Sequence, residues 1–441
     1  MKKPFAVFVC FALSWFALAA NAQLVIEITK SAEDAVPIAI VPFGWESTGA
    51  APFDVAEVVA ADLRRSGRFA PLDRKEMIDR PTQGDQIRFQ DWRYLKSDFI
   101  VVGKLAPEGQ GFAATFEIFN VLTGQKLGRP EDPRRITANA NNMRALAHRI
   151  SDIIFEQLTG VRGAFSTRVA FVNAEGTPPK QRYKLVASDY DGENQRTLLS
   201  SDEPIMSPAW SPDGESIAYV SFESKASAIY VQTVRTGERK RVSARAGING
   251  APAWSPDGKT LALTLSRKDG DVDIYTLDLA SQVLTRMTFD PGIDTEPSWS
   301  SDGKKLYFNS DRAGGPQIYV VDVADPRRAT RVSFEGGYNA RPRVSPDGKQ
   351  LAVVTLDRGN YRIAVIDLAS KGMQVLSEGR QDESPSFAPN GAVLIYATQD
   401  KGRGVLATVS TDGRTAERFT NTVGEVREPV WAPFPRTPST N

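Results

Sequence analysis

Pro252-Ala253-Trp254-Ser255-Pro256-Asp257-Gly258 decides the fold, because the stretch recurs. Pro208-Ala209-Trp210-Ser211-Pro212-Asp213-Gly214 precedes it and Pro297-Ser298-Trp299-Ser300-Ser301-Asp302-Gly303 follows it. Pro342-Arg343-Val344-Ser345-Pro346-Asp347-Gly348 puts Val in place of Trp, Pro385-Ser386-Phe387-Ala388-Pro389-Asn390-Gly391 puts Phe there, and Pro429-Val430-Trp431-Ala432-Pro433 is a truncated last copy. The leading prolines stand 44, 45, 45, 43 and 44 residues apart. That period, filled with short apolar runs and Gly turns, is that of a four-stranded propeller blade. The large third residue is expected between neighbouring blades. Pro-Asp-Gly sets a tight turn: Pro fixes φ, Asp bonds its own backbone and Gly accepts positive φ. Ser207, Ser211 and Ser255 read as turn residues.

The two ends of the repeat settle the number of blades. Strand-like runs at residues 168–172, 183–187 and 196–199 precede the first motif and lack a motif strand of their own. One motif strand, around Trp431, follows the last complete unit with nothing behind it. Joined, these orphans make one blade. The reading is a six-bladed β-propeller over residues 164–434, closed by the C-terminal strand pairing near Val169, with a tail at 435–441. An open solenoid would leave both orphan sets unpaired.

The 441-residue chain opens with a secretory leader pattern: Lys2 and Lys3, an apolar run from Phe5 to Leu18, and Ala20-Asn21-Ala22 as a cleavage site. Residues 1–22 are expected to be removed, giving a mature start at Gln23. The alternative is a retained anchor, for which the run is short. Cys10, the single cysteine, leaves with the leader, which excludes disulfides and thiolate chemistry from the mature chain. Loss of Lys2 and Lys3 takes the net charge from +1 to −1, so no electrostatic footprint for nucleic acid or anionic lipid remains.

Residues 35–160 carry no repeat and read as a small α/β domain, so the chain as a whole is mainly β with a smaller α/β part. Pro37-Ile38-Ala39-Ile40-Val41-Pro42-Phe43 is a buried strand, residues 53–63 a helix, residues 98–105 and 112–122 a strand pair. Met143, Leu146, Ala147, Ile150, Ile154 and Leu158 form the stripe of a last helix stopped by Gly160. A short linker at 161–166 predicts contact between the two parts. Residues 23–34 form a separate, flexible segment. Its strand-like Leu24-Val25-Ile26-Glu27-Ile28 reads either as an edge strand of the small domain or as a detachable strand for a partner's sheet edge.

Catalytic constellations are missing. His148 is the single histidine and reads as a solvated helix residue, which leaves the propeller without a Ser-His-Asp set or a histidine-ligated metal. No Gly-x-Ser-x-Gly elbow or Walker loop occurs. The loops leading into the motif strands are polar: Asp202, Glu203, Asn249, Asp294, Thr295, Glu296, Asn339, Arg341, Asp382, Glu383, Arg427 and Glu428. In a propeller they share one face around the channel. An acidic ring there suits a calcium-like cation, a carbohydrate or a basic protein surface, against ordinary loop polarity as the plain alternative.

The leader, Pro37 to Phe43, Asn249 to Gly258, Thr295-Glu296-Pro297-Ser298-Trp299 and Asp382-Glu383-Ser384-Pro385, with six motif copies behind a small α/β domain, resemble the TolB family of the Gram-negative Tol–Pal system over nearly the whole chain. The repeat alone also resembles propellers of prolyl-oligopeptidase-like enzymes. The resemblance implies a non-enzymatic periplasmic adaptor without cofactor or metal. It implies binding of Pal through the propeller channel face and of TolA through the mature N-terminal segment. It also implies support of outer-membrane invagination in cell division and of envelope integrity. Ile248, Asn249, Ala251, Thr295 and Glu296 match the Pal-binding loops, and the neighbouring loops add Glu203, Asn339, Arg341, Glu383 and Glu428. Ile248 departs from relatives that carry a polar residue there, often His. Gln23, Leu24, Val25, Ile26, Glu27 and Ile28 match the TolA-binding segment in place and type. The implied partners are Pal, TolA and other Tol proteins, with no nucleic acid, no direct membrane insertion and a monomeric chain. The runner-up is a secreted hydrolase or lyase that uses an acidic channel face.

Overall fold

In the computed structural model, the motif turn is built as its residue types require. Ser255 Oγ donates to Asp257 Oδ1 at 2.6 Å and accepts from the Thr260 amide at 3.0 Å. The Lys259 amide donates to Asp257 Oδ1 at 3.1 Å, and Gly258 sits at φ +72°. The chain therefore reverses in five residues and delivers Thr260–Ser266 as the second strand of its blade. The structure describes residues 25–30, 35–128, 135–177, 179–267, 270–420 and 424–435. The expected leader, Gln23, Leu24 and the tail beyond residue 435 lie outside the described residues.

Six antiparallel blades follow one another. Blade 1 holds Arg168–Glu175, Arg182–Asp189 and Arg196–Ser201, and its innermost strand is Glu425–Trp431 from the other end of the chain. Trp431 pairs with Val169 and Val430 with Ala170, so the ring closes as the orphan strands predicted. Blades 2 to 6 start at Ile205–Trp210, Asn249–Trp254, Asp294–Trp299, Asn339–Val344 and Glu383–Phe387. The motif tryptophans bond as well as pack. Trp254 Nε1 donates to the Ala209 carbonyl of the previous blade at 3.1 Å, and Trp299 Nε1 donates to Ala253 at 3.1 Å. Trp210 Nε1 reaches Val430 at 3.2 Å, stitching blade 2 to the closing strand. Each indole thus fills the gap between blades and satisfies a carbonyl there. Ser211 and Ser255 are turn residues, but Ser207 lies inside the strand Ile205–Trp210, which corrects its reading as a turn residue.

The small domain is a sheet in which Val36–Ile40 runs parallel to Phe69–Pro71 and to Phe99–Glu108, and Phe99–Glu108 pairs antiparallel with Gly111–Asn120. Ile38 and Ile40 face one core cluster and Ala39 and Val41 the other, which explains an unbroken apolar run instead of alternation. The helices Val55–Arg65 and Met143–Thr159 cover one face. Asp54 caps the first, accepting from the Glu57 amide at 3.0 Å, and Gly160 at φ +74° ends the second.

Two expectations are corrected at the seam between the parts. His148 is not a solvated residue: it is 1% exposed. Its Nδ1 lies 2.8 Å from Asp62 Oδ2 and its Nε2 3.5 Å from Asp191 Oδ2. Asp62 also accepts from Tyr190 Oη at 2.7 Å and Ser151 Oγ at 2.6 Å, while Arg65 and Arg144 both pair with Asp191. Asp191 and Tyr190 belong to the propeller, so this cluster locks the two parts together. Burial opposes a charge on His148, but Asp62 and Asp191 outweigh it and raise its pKa. The N-terminal strand Val25–Lys30 is likewise not an edge strand of the small domain. It pairs antiparallel with Ala416–Thr420 and forms a fifth, outermost strand on blade 6.

Candidate functional site

The residue before each motif proline carries the channel chemistry. Ser207, Ala251, Glu296, Arg341, Ser384 and Glu428 have φ between +44° and +56°. At each of them the inner strand slips register against its neighbour, as between Thr295 and Ser298 or between Ala340 and Arg343. A left-handed non-glycine residue costs of order 1–3 kcal/mol. Repeated in all six blades, the bulge turns one side chain per blade toward the axis.

Three of those six side chains are charged, and they meet. Arg341 Nη2 lies 3.7 Å from Glu428 Oε1, and Arg341 Nε lies 3.8 Å from Glu296 Oε1. Arg341 also bonds Ser384 Oγ, and Glu428 accepts from the Ser207 amide of the next blade. Arg343 approaches Glu296 from the other side, Nη2 to Oε2 at 3.3 Å. Burial pushes the Glu296 carboxyl up, but Arg341 and Arg343 prevail and hold it below its ordinary value. Glu428 is raised: burial dominates, and Arg341 compensates only in part. The channel waist is therefore spanned by an Arg–carboxylate chain.

This overturns the expected acidic ring. Asp294 is buried against Arg312 at 2.9 Å, and Asp382 accepts from Ser377 Oγ at 2.5 Å and Thr398 Oγ1 at 2.6 Å. Asp202 pairs with Arg182 at 3.2 Å and Glu203 with Lys225. A cation would find these carboxylates already satisfied. Asn249 and Asn339, 1% and 0% exposed, are also spent internally. The Asn249 carboxamide ties Ser243 Oγ, the Arg245 amide and the Arg245 carbonyl, and Asn339 holds Gln317 and the Glu335 carbonyl. They shape the loops; their side chains do not face outward. Ile248 is 48% exposed, Glu383 is exposed, Ala251 is half-buried, and Thr295 accepts from Asn309 Nδ2 at 3.2 Å.

The feature missed in the sequence is apolar. Phe289, Ile293 and Phe334 stand exposed on the loops that lead into blades 4 and 5, beside Ile248 on the loop into blade 3. Met206, Leu356 and Tyr361 are exposed on the same face. The signal was available: large apolar residues inside Gly- and Asp-rich loops, as in Phe289-Asp290-Pro291-Gly292-Ile293. A depression of about 480 Å³, lined by Tyr338, Arg341, Tyr361 and Glu383, opens on the same face between blades 5, 6 and 1. Exposed apolar groups around a polar mouth mark an interaction surface rather than a reaction site. The opposite end, where the motif turns lie, has a funnel of about 600 Å³ lined by Trp210, Trp254, Trp299, Phe387 and Trp431.

Asp62, His148 and Asp191 bring three metal-competent atoms together. Two guanidiniums pair with Asp191 and two hydroxyls donate to Asp62, so both carboxylates are already engaged and the set behaves as an ion-pair lock.

A family model of the TolB beta propeller domain matches residues 155–435, and one of the TolB amino-terminal domain matches residues 24–127. The chain belongs to the TolB family. It is 47% identical over 440 residues to the Tol-Pal system protein TolB of Xanthomonas euvesicatoria pv. vesicatoria (strain 85-10), covering 98% of this chain and 99% of that one. TolB of Xanthomonas campestris pv. campestris (strain B100) is 46% identical over 439 residues, with the same coverage of 98% and 99%. The crystal structure of TolB from Acinetobacter baumannii superposes with a TM-score of 0.86 at 40% identity, over 93% of this chain and 100% of that one. TolB is a non-enzymatic component of the Tol–Pal system, so the hydrolase or lyase alternative falls. Among the described residues no helix is long and apolar enough to cross a membrane.

Proposed function

We propose that this TolB-family chain is a monomeric periplasmic adaptor, released from its leader at Gln23, that holds Pal on the channel face and TolA on the mature N-terminal segment. In that role it supports outer-membrane invagination during division and the integrity of the envelope. The observation that carries the Pal assignment is the exposed apolar set Ile248, Phe289, Ile293 and Phe334 on the channel-face loops into blades 3, 4 and 5, on the face of a channel whose waist Arg341 fills. Such a face offers contact area and a central charged anchor but no nucleophile.

The register of the N-terminal strand supports the second half. Val25 lies opposite Thr420 and Lys30 opposite Ala416, so the strand begins at the channel-face end of blade 6. The strand can leave that edge for another sheet by exchanging one set of backbone bonds for another. Immobilised mature chain should retain both Pal and TolA from an envelope extract. A version lacking residues 23–30 should retain Pal and lose TolA. Retention of TolA by the shortened chain would contradict the assignment.

A further inference from the structure

Glu417 is a buried carboxylate with no partner among the described residues. It lies in Ala416–Thr420 and is 5% exposed. Among the described residues no hydrogen bond or ion pair reaches its carboxylate. The helix cation Arg65 lines the same cavity, but its guanidinium is paired 3.4 Å from Asp191 and 3.7 Å from Asp62. Burial pushes the Glu417 carboxyl up to about 8, because Arg65 and Arg64 offset the loss of water only in part and Asp62 adds to the rise.

Glu417 faces a cavity of about 160 Å³ between blade 6 and the small domain. Aromatic rings line it as a connected wall. Phe155 and Phe165 have centroids 5.5 Å apart, Phe165 and Tyr190 5.6 Å, and Tyr190 and Trp431 6.4 Å. Phe419, two residues along the strand from Glu417, lines the same cavity. Arg68 and Asp412, both largely solvent-exposed and 3.8 Å apart, stand at its rim. A cavity of about 150 Å³ accepts a benzene-sized molecule. A carboxylate lacking its counter-ion beside aromatic faces is the chemistry that receives an ammonium group.

We propose that this interdomain cavity is a binding site for a small organic ammonium ion with a ring-sized apolar body. The ammonium supplies the charge that Glu417 lacks, and the rings of Phe155, Phe165, Tyr190 and Trp431 enclose the rest. Because the bound cation favours the ionised carboxylate, affinity rises with pH through the range in which Glu417 loses its proton. The charged groups that face it are Arg65, Arg64 and Asp62 on the helix and Arg68 and Asp412 at the rim. The site adjoins the strand that carries the N-terminal segment, since Ile28 lies opposite Glu417.

The test is calorimetric titration of the full mature chain at about pH 8 with benzylamine and with its neutral analogue benzyl alcohol. Benzylamine should bind about tenfold or more tightly than the alcohol, and Glu417→Gln should erase that preference while the alcohol's affinity stays within about twofold. In the unmodified chain the preference should shrink severalfold between about pH 8.5 and pH 6.5, a readout that does not depend on the variant's folding. Equal affinity for both probes, a preference that survives Glu417→Gln or does not move with pH, or no binding of either would overturn the proposal.

Discussion

Arg341 reaches two blades along the ring to Glu428, Nη2 3.7 Å from Oε1, while its Nε lies 3.8 Å from Glu296. The cation separates two carboxylates that would otherwise face each other in the channel waist. Arg341→Ala should therefore cost about 3 kcal/mol of stability at neutral pH, because it strands the buried Glu428 carboxylate and leaves Glu296 to Arg343 alone. Glu428 already has a raised pKa, and without Arg341 it rises further, so the loss should shrink as pH falls and the carboxyl takes up a proton. Denaturant midpoints at about pH 7.5 and pH 5 check this; an equal loss at both would show that the pairing contributes little.

The seam between the two parts makes stability fall as pH rises. Glu417 has an ordinary value of 4.5 and a folded value of about 8, so the folded chain binds the proton more tightly and loses stability progressively between them. His148 is also raised above 6.5, so its contribution is complete below that value and is lost as pH climbs through the folded pKa. Both act in the same direction. The mature chain should unfold at lower denaturant at about pH 9 than at pH 5.5, and Glu417→Gln should recover roughly 1–3 kcal/mol at the higher pH. A midpoint that does not fall with pH would exclude an unpaired carboxylate at the seam.

The indole bonds predict a graded series. Trp254→Phe keeps a ring between blades 2 and 3 but deprives the Ala209 carbonyl of its donor, and should cost about 1 kcal/mol. Trp254→Ala adds a gap and should cost roughly 3 kcal/mol or more. Equilibrium unfolding of the two variants separates the bond from the packing, and an indistinguishable pair would assign the whole effect to the bond.

Removing residues 23–30 exposes the outer edge of blade 6. Amides of Ala416–Thr420 that donate to Val25–Lys30 should exchange with deuterium at least tenfold faster, and those that donate inward to Arg403–Ser410 should keep their protection. Uniform exchange along the strand in both forms would mean that the N-terminal strand does not rest there.

The propeller was legible because its motif is local: Pro-Asp-Gly turns and a large third residue declare themselves within seven residues, and the orphan strands near Val169 and Trp431 declare the closure. The site was less legible because its chemistry is not local. Arg341 reads as one polar loop residue among many until the left-handed bulge before Pro342 turns it toward Glu296 and Glu428. Asn249 and Asn339 look like surface polarity, yet each sits where the chain enters a blade and spends its carboxamide on the loop. His148 stands beside an apolar stripe, and only the packing of a propeller strand end places Asp191 against it. The edge chosen by Val25–Lys30 depends on which strand of blade 6 is left unpaired, which no short-range pattern encodes.

The claim that the channel face is the Pal-binding surface is tested most directly by titrating the soluble domain of Pal into the mature chain and into its Ile248→Asp variant. Ile248 is exposed and bears on no internal bond of its side chain, so the variant should unfold at the same denaturant concentration as the parent. A charge placed in a desolvated contact should weaken Pal binding about tenfold or more. Unchanged Pal affinity in the folded variant would contradict the account.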